Sequence, residues 1–252
     1  MDYLDYNYKV RKKEIENILD EINEIKEVKR FPVDKEFTYS NGYKAFTTSI
    51  FVDLRNSTKL FTEEDDISIA KVIRGFTSEV IEILRKNTTS TELKEIGIRG
   101  DCVFAVYSTP MIEDIANIAD RAFYINTYLK MLNKLLEDRK LPAIKAGIGV
   151  ASSKTLAVKA GRKDTGINNL VWIGKAVSKA AKLSDFGNKD GIKKIVMDEC
   201  FFNNCLKAIS TERSDKWKEW FTKENDSTLG AYYHGDIIKP NFYDWINAGM
   251  PE

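Results

Sequence analysis

Histidine is almost missing from this chain of 252 residues: His234 stands alone, in the run LGAYYHGDI near the C-terminus. A single histidine beside aromatics reads as a structural or surface residue, and hydrolases of the Ser-His-Asp kind are disfavoured. Cysteine is scarce too. Cys102, Cys200 and Cys205 are an odd set with no CxxC pair, which argues against a disulfide framework or a structural zinc. No apolar run approaches the roughly 20 residues that span a bilayer. The opening segment MDYLDYNYKVRKKEIENILD has no apolar signal core, so the expected location is the cytoplasm, with no membrane partner. Charge of one sign is lacking as well: 39 basic and 38 acidic side chains leave a net +1. No whole-protein field draws the chain to nucleic acid, and no such partner is expected. Any chemistry must rest on carboxylates, lysines, arginines and bound metal.

What is present is an ordinary globular composition, 43% hydrophobic and 31% charged, long enough for one large domain with extensions. The period of Ile15, Ile18, Leu19, Ile22 and Ile25 predicts a helix over 9–30, stopped by Phe31-Pro32; its basic run KVRKK reads as a solvated face. A strand follows over 44–54. Thr62 to Asp65 resembles a capping box for a helix to about Lys86, with Ile67, Ala70, Ile73, Phe76, Val80 and Ile83 as its apolar face. ELKEIGIRGDCVFAVYS reads as two strands about a tight turn at Gly100-Asp101, and a long helix spans about 111–138. IKAGIGVASS and KTLAVKAG read as two further strands, GRKDTGINN as a polar loop, and the residues from Gly174 as a helix. IKKIVM reads as a strand and Asp198 as the start of a short helix, while the tail with Trp217, Trp220 and Trp245 stays unassigned. The order is strand, helix, strand–strand, helix, strand. It gives an α+β, ferredoxin-like plan with an antiparallel sheet and helices on one face. Many functions use that plan.

Two carboxylates stand out. Asp53 ends the apolar strand SIFVDL, where an unsatisfied polar group costs about 2–7 kcal/mol. Asp101 sits at a hairpin tip before the apolar strand CVFAVY. In a ferredoxin-like sheet these strands are neighbours, so both carboxylates can meet at one edge. Such a pair is suited to two Mg2+ or Mn2+ ions roughly 3.5–4 Å apart. Each aspartate alone also reads as a turn or cap residue.

FVDLRNSTKL resembles the first metal-binding motif of class III adenylyl and guanylyl cyclases. EIGIRGDCVFAVY resembles their second metal-binding hairpin, and IGKAVSKAAKLSD their helix of the form G-x-x-V-N-x-A-A-R-L. The three motifs stand in the family's order over about residues 44–197. The resemblance implies a catalytic domain over 44–212, an N-terminal helical extension over 1–43, and a C-terminal extension over 213–252 packed on the same domain. It implies two ions, Mn2+ or Mg2+, held by Asp53, Asp101 and the Leu54 carbonyl. It places the triphosphate on the turn Arg55, Asn56, Ser57 and Thr58. Ser178 and Lys182 stand where the family has its transition-state Asn and Arg, and another cation such as Lys159, Arg162 or Arg99 can contribute. In the family such sites lie at the interface of a homodimer, one protomer giving the metals and the other the cation.

The family's purine readers are a Lys four residues before the second metal Asp and an Asp three before the helix glycine. Here those positions are Gly97 and Val171, neither of which can bond a purine edge. INNLVWIGKAVSKAAKLS resembles the pyrimidine cyclases of bacterial Pycsar antiphage systems. That resemblance implies a pyrimidine nucleoside triphosphate as substrate, UTP in preference to CTP, with cyclic UMP or cyclic CMP as product, and a separate effector protein activated by it. Phe46, Arg99 and Trp172 are the candidates for stacking on or bonding the base; Arg99 also reads as a plain hairpin residue. A purine cyclase with an unusual pocket and a catalytically weak cyclase-homology regulator stay open as alternatives. A purely structural module leaves Asp53 unexplained, and the hairpin signature of diguanylate cyclases is absent.

Overall fold

The computed structural model describes residues 6–21, 24–162, 166–209 and 211–252. In chain order its elements are α1 (Tyr8–Asp20), β1 (Glu24–Glu27), β2 (Asn41–Arg55), α2 (Ser57–Glu63), α3 (Asp66–Arg85), β3 (Leu93–Arg99) and β4 (Cys102–Ser108). There follow α4 (Ile112–Glu137), β5 (Lys145–Gly161), β6 (Asn168–Ile173), α5 (Lys175–Phe186), β7 (Ile195–Asp198), α6 (Glu199–Ala208), α7 (Thr211–Trp220), β8 (Thr222–Asp226), β9 (Gly230–Gly235) and α8 (Pro240–Asn247).

One nine-stranded sheet runs β3-β4-β2-β5-β7-β9-β8, with β1 added to β2 and β6 to β5. The segment β3-β4-β2-β5 is the expected ferredoxin-like core. Its centre is the antiparallel pair β2–β5, in unbroken register from Gly42↔Val158 to Arg55↔Lys145. Side chains alternate across that pleat. One face of β2, with Ile50, Val52 and Leu54, closes a large core with α3, α4 and α6. The other, with Phe51, meets Phe104, Val106, Ala151, Ala180 and Leu183. Both faces are thus covered, and β2 reads as a near-continuous apolar run for that reason.

Several expectations change. The helix expected over 9–30 ends at Asp20, and Ile25 lies on β1, which pairs in parallel with the start of β2. A free β2 edge at Asn41–Lys44 takes up the backbone bonds of 24–27, which outweighs the helical period of its isoleucines. Ile22 lies outside the described residues. Phe31 is a core side chain, packed with Phe37, Tyr43, Ala45 and Ala157. The cap of α3 is Asp65, which accepts from the amides of Ile67 and Ser68; Thr62 instead ends α2 and donates to Thr58. The buried face of α3 is Val72, Phe76, Val80 and Leu84, whereas Ile67 is exposed. The two strands expected over 144–161 are one strand, β5, because β2 pairs with it without interruption from Lys145 to Val158. Part of the polar loop, 163–165, lies outside the described residues, and β6 follows it as a strand that was not anticipated.

The sheet is mixed, since β7 runs parallel to β5. Helices cover both faces, because α5 crosses to the side opposite α3 and α4. The tail completes the sheet through the hairpin β8–β9, and Trp217 is buried against Phe123 and Phe202. His234 is a buried structural residue whose Nδ1 accepts from the Lys193 amide at 3.1 Å.

Helix α5 sits directly on the backbone of β5. A Cβ at Gly149 would lie 2.1 Å from the Ala180 carbonyl oxygen, and one at Gly147 would lie 2.1 Å from that of Ser184. No side chain fits there unless the helix lifts. Gly149→Ala is therefore expected to cost about 3 kcal/mol in urea unfolding. Gly75→Ala, whose methyl would meet only a Leu132 methyl at 3.3 Å, should cost far less. A Gly149→Ala protein as stable as the parent would show that α5 is free to move.

Candidate active site

The register sorts the site residues into rows. Arg99, Cys102, Asp53 and Gly147 lie side by side across β3, β4, β2 and β5. The next row on the same face is Gly97, Phe104, Phe51 and Gly149, and the one beyond is Glu95, Val106, Ser49 and Ala151. Asp101 occupies the β3–β4 turn beside the first row, where Gly100 takes φ +62° to close it. Strand end and hairpin tip thus bring the two carboxylates together.

Burial pushes the Asp53 carboxyl above its ordinary 3.8; the Arg55 guanidinium opposes this, while Asp101 and Asp185 add to it. Arg55 Nη2 donates to Asp53 Oδ2 at 2.9 Å and to the Ser184 carbonyl at 2.6 Å. Its Nη1 reaches the Asp185 carbonyl at 3.2 Å. The side chain of Arg55 is therefore turned inward, tying β2 to the end of α5. Only its backbone is left to the triphosphate turn that the sequence suggests. Asn56 adopts the left-handed conformation (φ 57°) and its side chain does not cap α2. The first-turn amides at Ser57 and Thr58 are consequently free of a side-chain cap.

Among the described residues no cluster of three or more His, Cys, Asp or Glu is placed to hold an ion. The set that the sequence suggests is two carboxylates and the Leu54 carbonyl. Such a set suits ions that keep water and substrate oxygens in their shells. The sulfur in the row is no competitor, since burial and then Asp53 push the Cys102 thiol up to about 12. It stays protonated, and the donors are hard oxygens, which fit Mg2+ or Mn2+.

Ser178 and Lys182 are exposed, four residues apart on one face of α5. The Ser178 hydroxyl turns back to the Gly174 carbonyl at 3.4 Å. Lys182 lies near enough to Asp226 to hold that carboxyl below its usual range, after the backbone bonds of Leu229 and Thr228. Trp172 on β6 reaches the Asp53 face, packed edge-on to Phe31 at 5.2 Å. Arg99 lies 5.1 Å over the Phe104 ring. Phe46 does not join them. It stands seven residues from Asp53 on the opposite face of an unbroken strand, packed on the helical core. Val171 pairs with Val158 and points away from the Trp172 side. Sequence reading missed Glu95, which accepts a hydrogen bond from Trp172 Nε1; its alternation with Gly97 and Arg99 on a strand was the available signal.

No family model matches the chain. It is 45% identical over 248 residues to a uridylate cyclase of Treponema porcinum, covering 97% of this chain and 82% of that protein. A uridylate cyclase of Gulbenkiania mobilis is 29% identical over 246 residues, covering 92% and 93%. Among solved structures, the adenylyl cyclase CyaB of P. aeruginosa superposes with a TM-score of 0.61 at 15% identity, over 77% of this chain and 95% of that one. The guanylyl cyclase Cya2 gives 0.61 at 13% identity, over 79% and 95%. The fold is thus that of a class III cyclase catalytic domain. The chain belongs to the uridylate cyclase family.

The raised pKa of Asp53 has a thermodynamic sign. The folded protein holds this proton more tightly than the unfolded chain, so metal-free stability falls as pH rises from about 3.8 through the folded value. Asp53→Asn should therefore melt higher than the metal-free parent at about pH 7, with the gap closing below about pH 3. Thermal melts in chelator check this. Equal melting points at neutral pH would mean that the Arg55 bond outweighs burial.

Proposed function

We propose that this protein converts UTP to 3′,5′-cyclic UMP and pyrophosphate. The ions are two of Mn2+ or Mg2+, held by Asp53, Asp101 and the Leu54 carbonyl. The observation that carries this reading is the meeting of Asp53 and Asp101 at one sheet edge, in a chain so similar to a uridylate cyclase. When bound, the ions acidify the ribose 3′-hydroxyl and neutralise the departing pyrophosphate. The chain does the positioning. Asp53 and Asp101 fix where the ions stand. The amides of Ser57 and Thr58 offer donors to phosphate oxygens, next to the backbone of Arg55 and Asn56. The ribose 3′-oxygen then attacks the α-phosphorus in line, the bond to the β-phosphate oxygen breaks, and the hydroxyl proton passes to solvent. No covalent nucleophile is needed, in keeping with a single histidine that is buried elsewhere.

Lys182 and Ser178 complete the site from a second copy. Their exposed position on α5 supports that reading, since α5 offers them outward rather than toward Asp53. Lys182 steadies charge on the phosphate in the transition state. The active form is then a C2 homodimer with two sites at the interface. The product serves as a messenger for a separate effector protein in antiphage defence, within the cytoplasm. No described helix is long and apolar enough to cross a membrane.

Separate incubation with UTP, CTP, ATP and GTP in Mn2+, followed by chromatography, should give cyclic UMP as the main product. Asp53→Ala and Asp101→Ala should each abolish it while keeping the circular dichroism of the parent. Faster turnover of ATP or GTP than of UTP would reject the reading.

Assembly has its own test. Mixing inactive Asp53→Ala with inactive Lys182→Ala should restore activity, to about a quarter of the parent level after full subunit exchange, because half the dimers are mixed and each has one whole site. No recovery after proven exchange would place Lys182 outside the partner's site.

A further inference from the structure

The strands β3 and β6 are joined across the site face by one polar contact, Trp172 Nε1 to Glu95 Oε2. Neither residue stands at a position where the family reads purines. Those two positions are closed to that use. A side chain at Gly97 would start 2.8 Å from the Phe104 ring, which is itself stacked 5.1 Å from Phe51 and buried. Val171 points away. On this face the carboxylate of Glu95 lies in the row beyond Gly97, which it shares with Ser49, and the stacked rings of Phe104 and Phe51 fill the row between it and Asp53.

We propose that Glu95, held in place by Trp172, is the residue that selects the base, accepting a hydrogen bond from the N3–H of uracil. This rests on the pyrimidine reading above and names its specificity determinant. Trp172 fixes the carboxylate through one oxygen and leaves the other to face the ring. Uracil presents an imide N–H to that oxygen. Cytosine presents a lone pair at the same ring position, which a carboxylate repels, so the pair discriminates by an unmet acceptor as well as by a bond. Neighbouring Arg99, with its guanidinium over Phe104, adds a donor to the same side of the pocket, suited to a carbonyl oxygen of the base.

Three proteins test this: the parent, Glu95→Gln and Trp172→Phe, with their folds compared by thermal melts. For each, kcat/KM is measured with UTP and with CTP in Mn2+, and the binding of α,β-methylene UTP and CTP is measured by calorimetry. In Glu95→Gln the UTP-to-CTP ratio should fall about tenfold or more, in turnover and in binding, since an amide can donate to cytosine N3. Trp172→Phe keeps the ring and removes the donor; its ratio should fall by a smaller factor. A parent that prefers UTP, with a ratio unmoved in Glu95→Gln, overturns the role of Glu95 while leaving the pyrimidine reading intact. A parent that prefers ATP or GTP rejects the pyrimidine reading and this inference with it.

Discussion

The unbroken pairing of β2 with β5 is the constraint on which the rest of the molecule depends. From Gly42 to Arg55 no bulge interrupts the register, so parity alone decides which side chains share a face with Asp53. Even-numbered positions from Phe46 to Leu54 feed the core under α3 and α4; odd ones from Thr47 to Asp53 line the other face. A one-residue slip would place Asp53 in the helical core and Val52 at the site, at the cost of burying an unpaired charge. The apolar character of β2 fixes the register, and the register places the carboxylate.

A second consequence concerns α5. The helix lies on Gly147 and Gly149 with no side chain between, and Arg55 ties its last carbonyls to Asp53. Helix α5 is thus held twice, to β5 by close backbone approach and to the Asp53 strand β2 by a charge-assisted bond. The ion pair is only one-fifth exposed on the Asp53 side, so it is screened less than a surface pair. It compensates part, though not all, of what burial and Asp101 do to Asp53. The Asp53 carboxylate is therefore left undercompensated, chiefly because of burial, and a bound cation would stabilise its charged form.

How much of this could be read from the sequence follows from the range of the forces involved. The apolar strands, the hairpin at Gly100-Asp101, the long helix α4 and the start of α5 are encoded locally, and the sequence places them within a few residues. The two carboxylates were singled out by the three motifs standing in order, since each aspartate alone also reads as a turn or cap residue. What escaped depends on pairing partners. Residues 24–27 carry a helical period yet extend, because the β2 edge offers backbone bonds. Strand β8 is invisible until β9, itself paired with β7, presents an edge to it. Phe46 was a fair aromatic candidate by composition, and only strand parity removes it. Glu95 was passed over because an acidic residue on a half-exposed strand is commonplace, and Trp172 singles it out only in three dimensions.

If the base lies against β3 and β6 as proposed, a single missing side chain reorganises the site without new chemistry. A side chain at 97 and the Phe104 ring compete for the same space: a Cβ there would start 2.8 Å from the ring, which is stacked on Phe51 and would have to shift. Where the family places a long cation to meet a two-ring base, this chain therefore has an aromatic floor. A floor raised in this way shortens the pocket, and a single ring fills it with fewer lost contacts than a double one. Shape can then reject purines by size, but it cannot separate two pyrimidines of nearly the same outline. That finer choice needs a polar group whose hydrogen-bonding sense differs between the two rings. A carboxylate, which only accepts, has that property, whereas an amide or hydroxyl can turn to suit either base. On the proposed reading the division of labour follows from the sheet: apolar side chains of β2 and β4 would set the size of the base, and the outer strands β3 and β6 would supply the polar contact that names it.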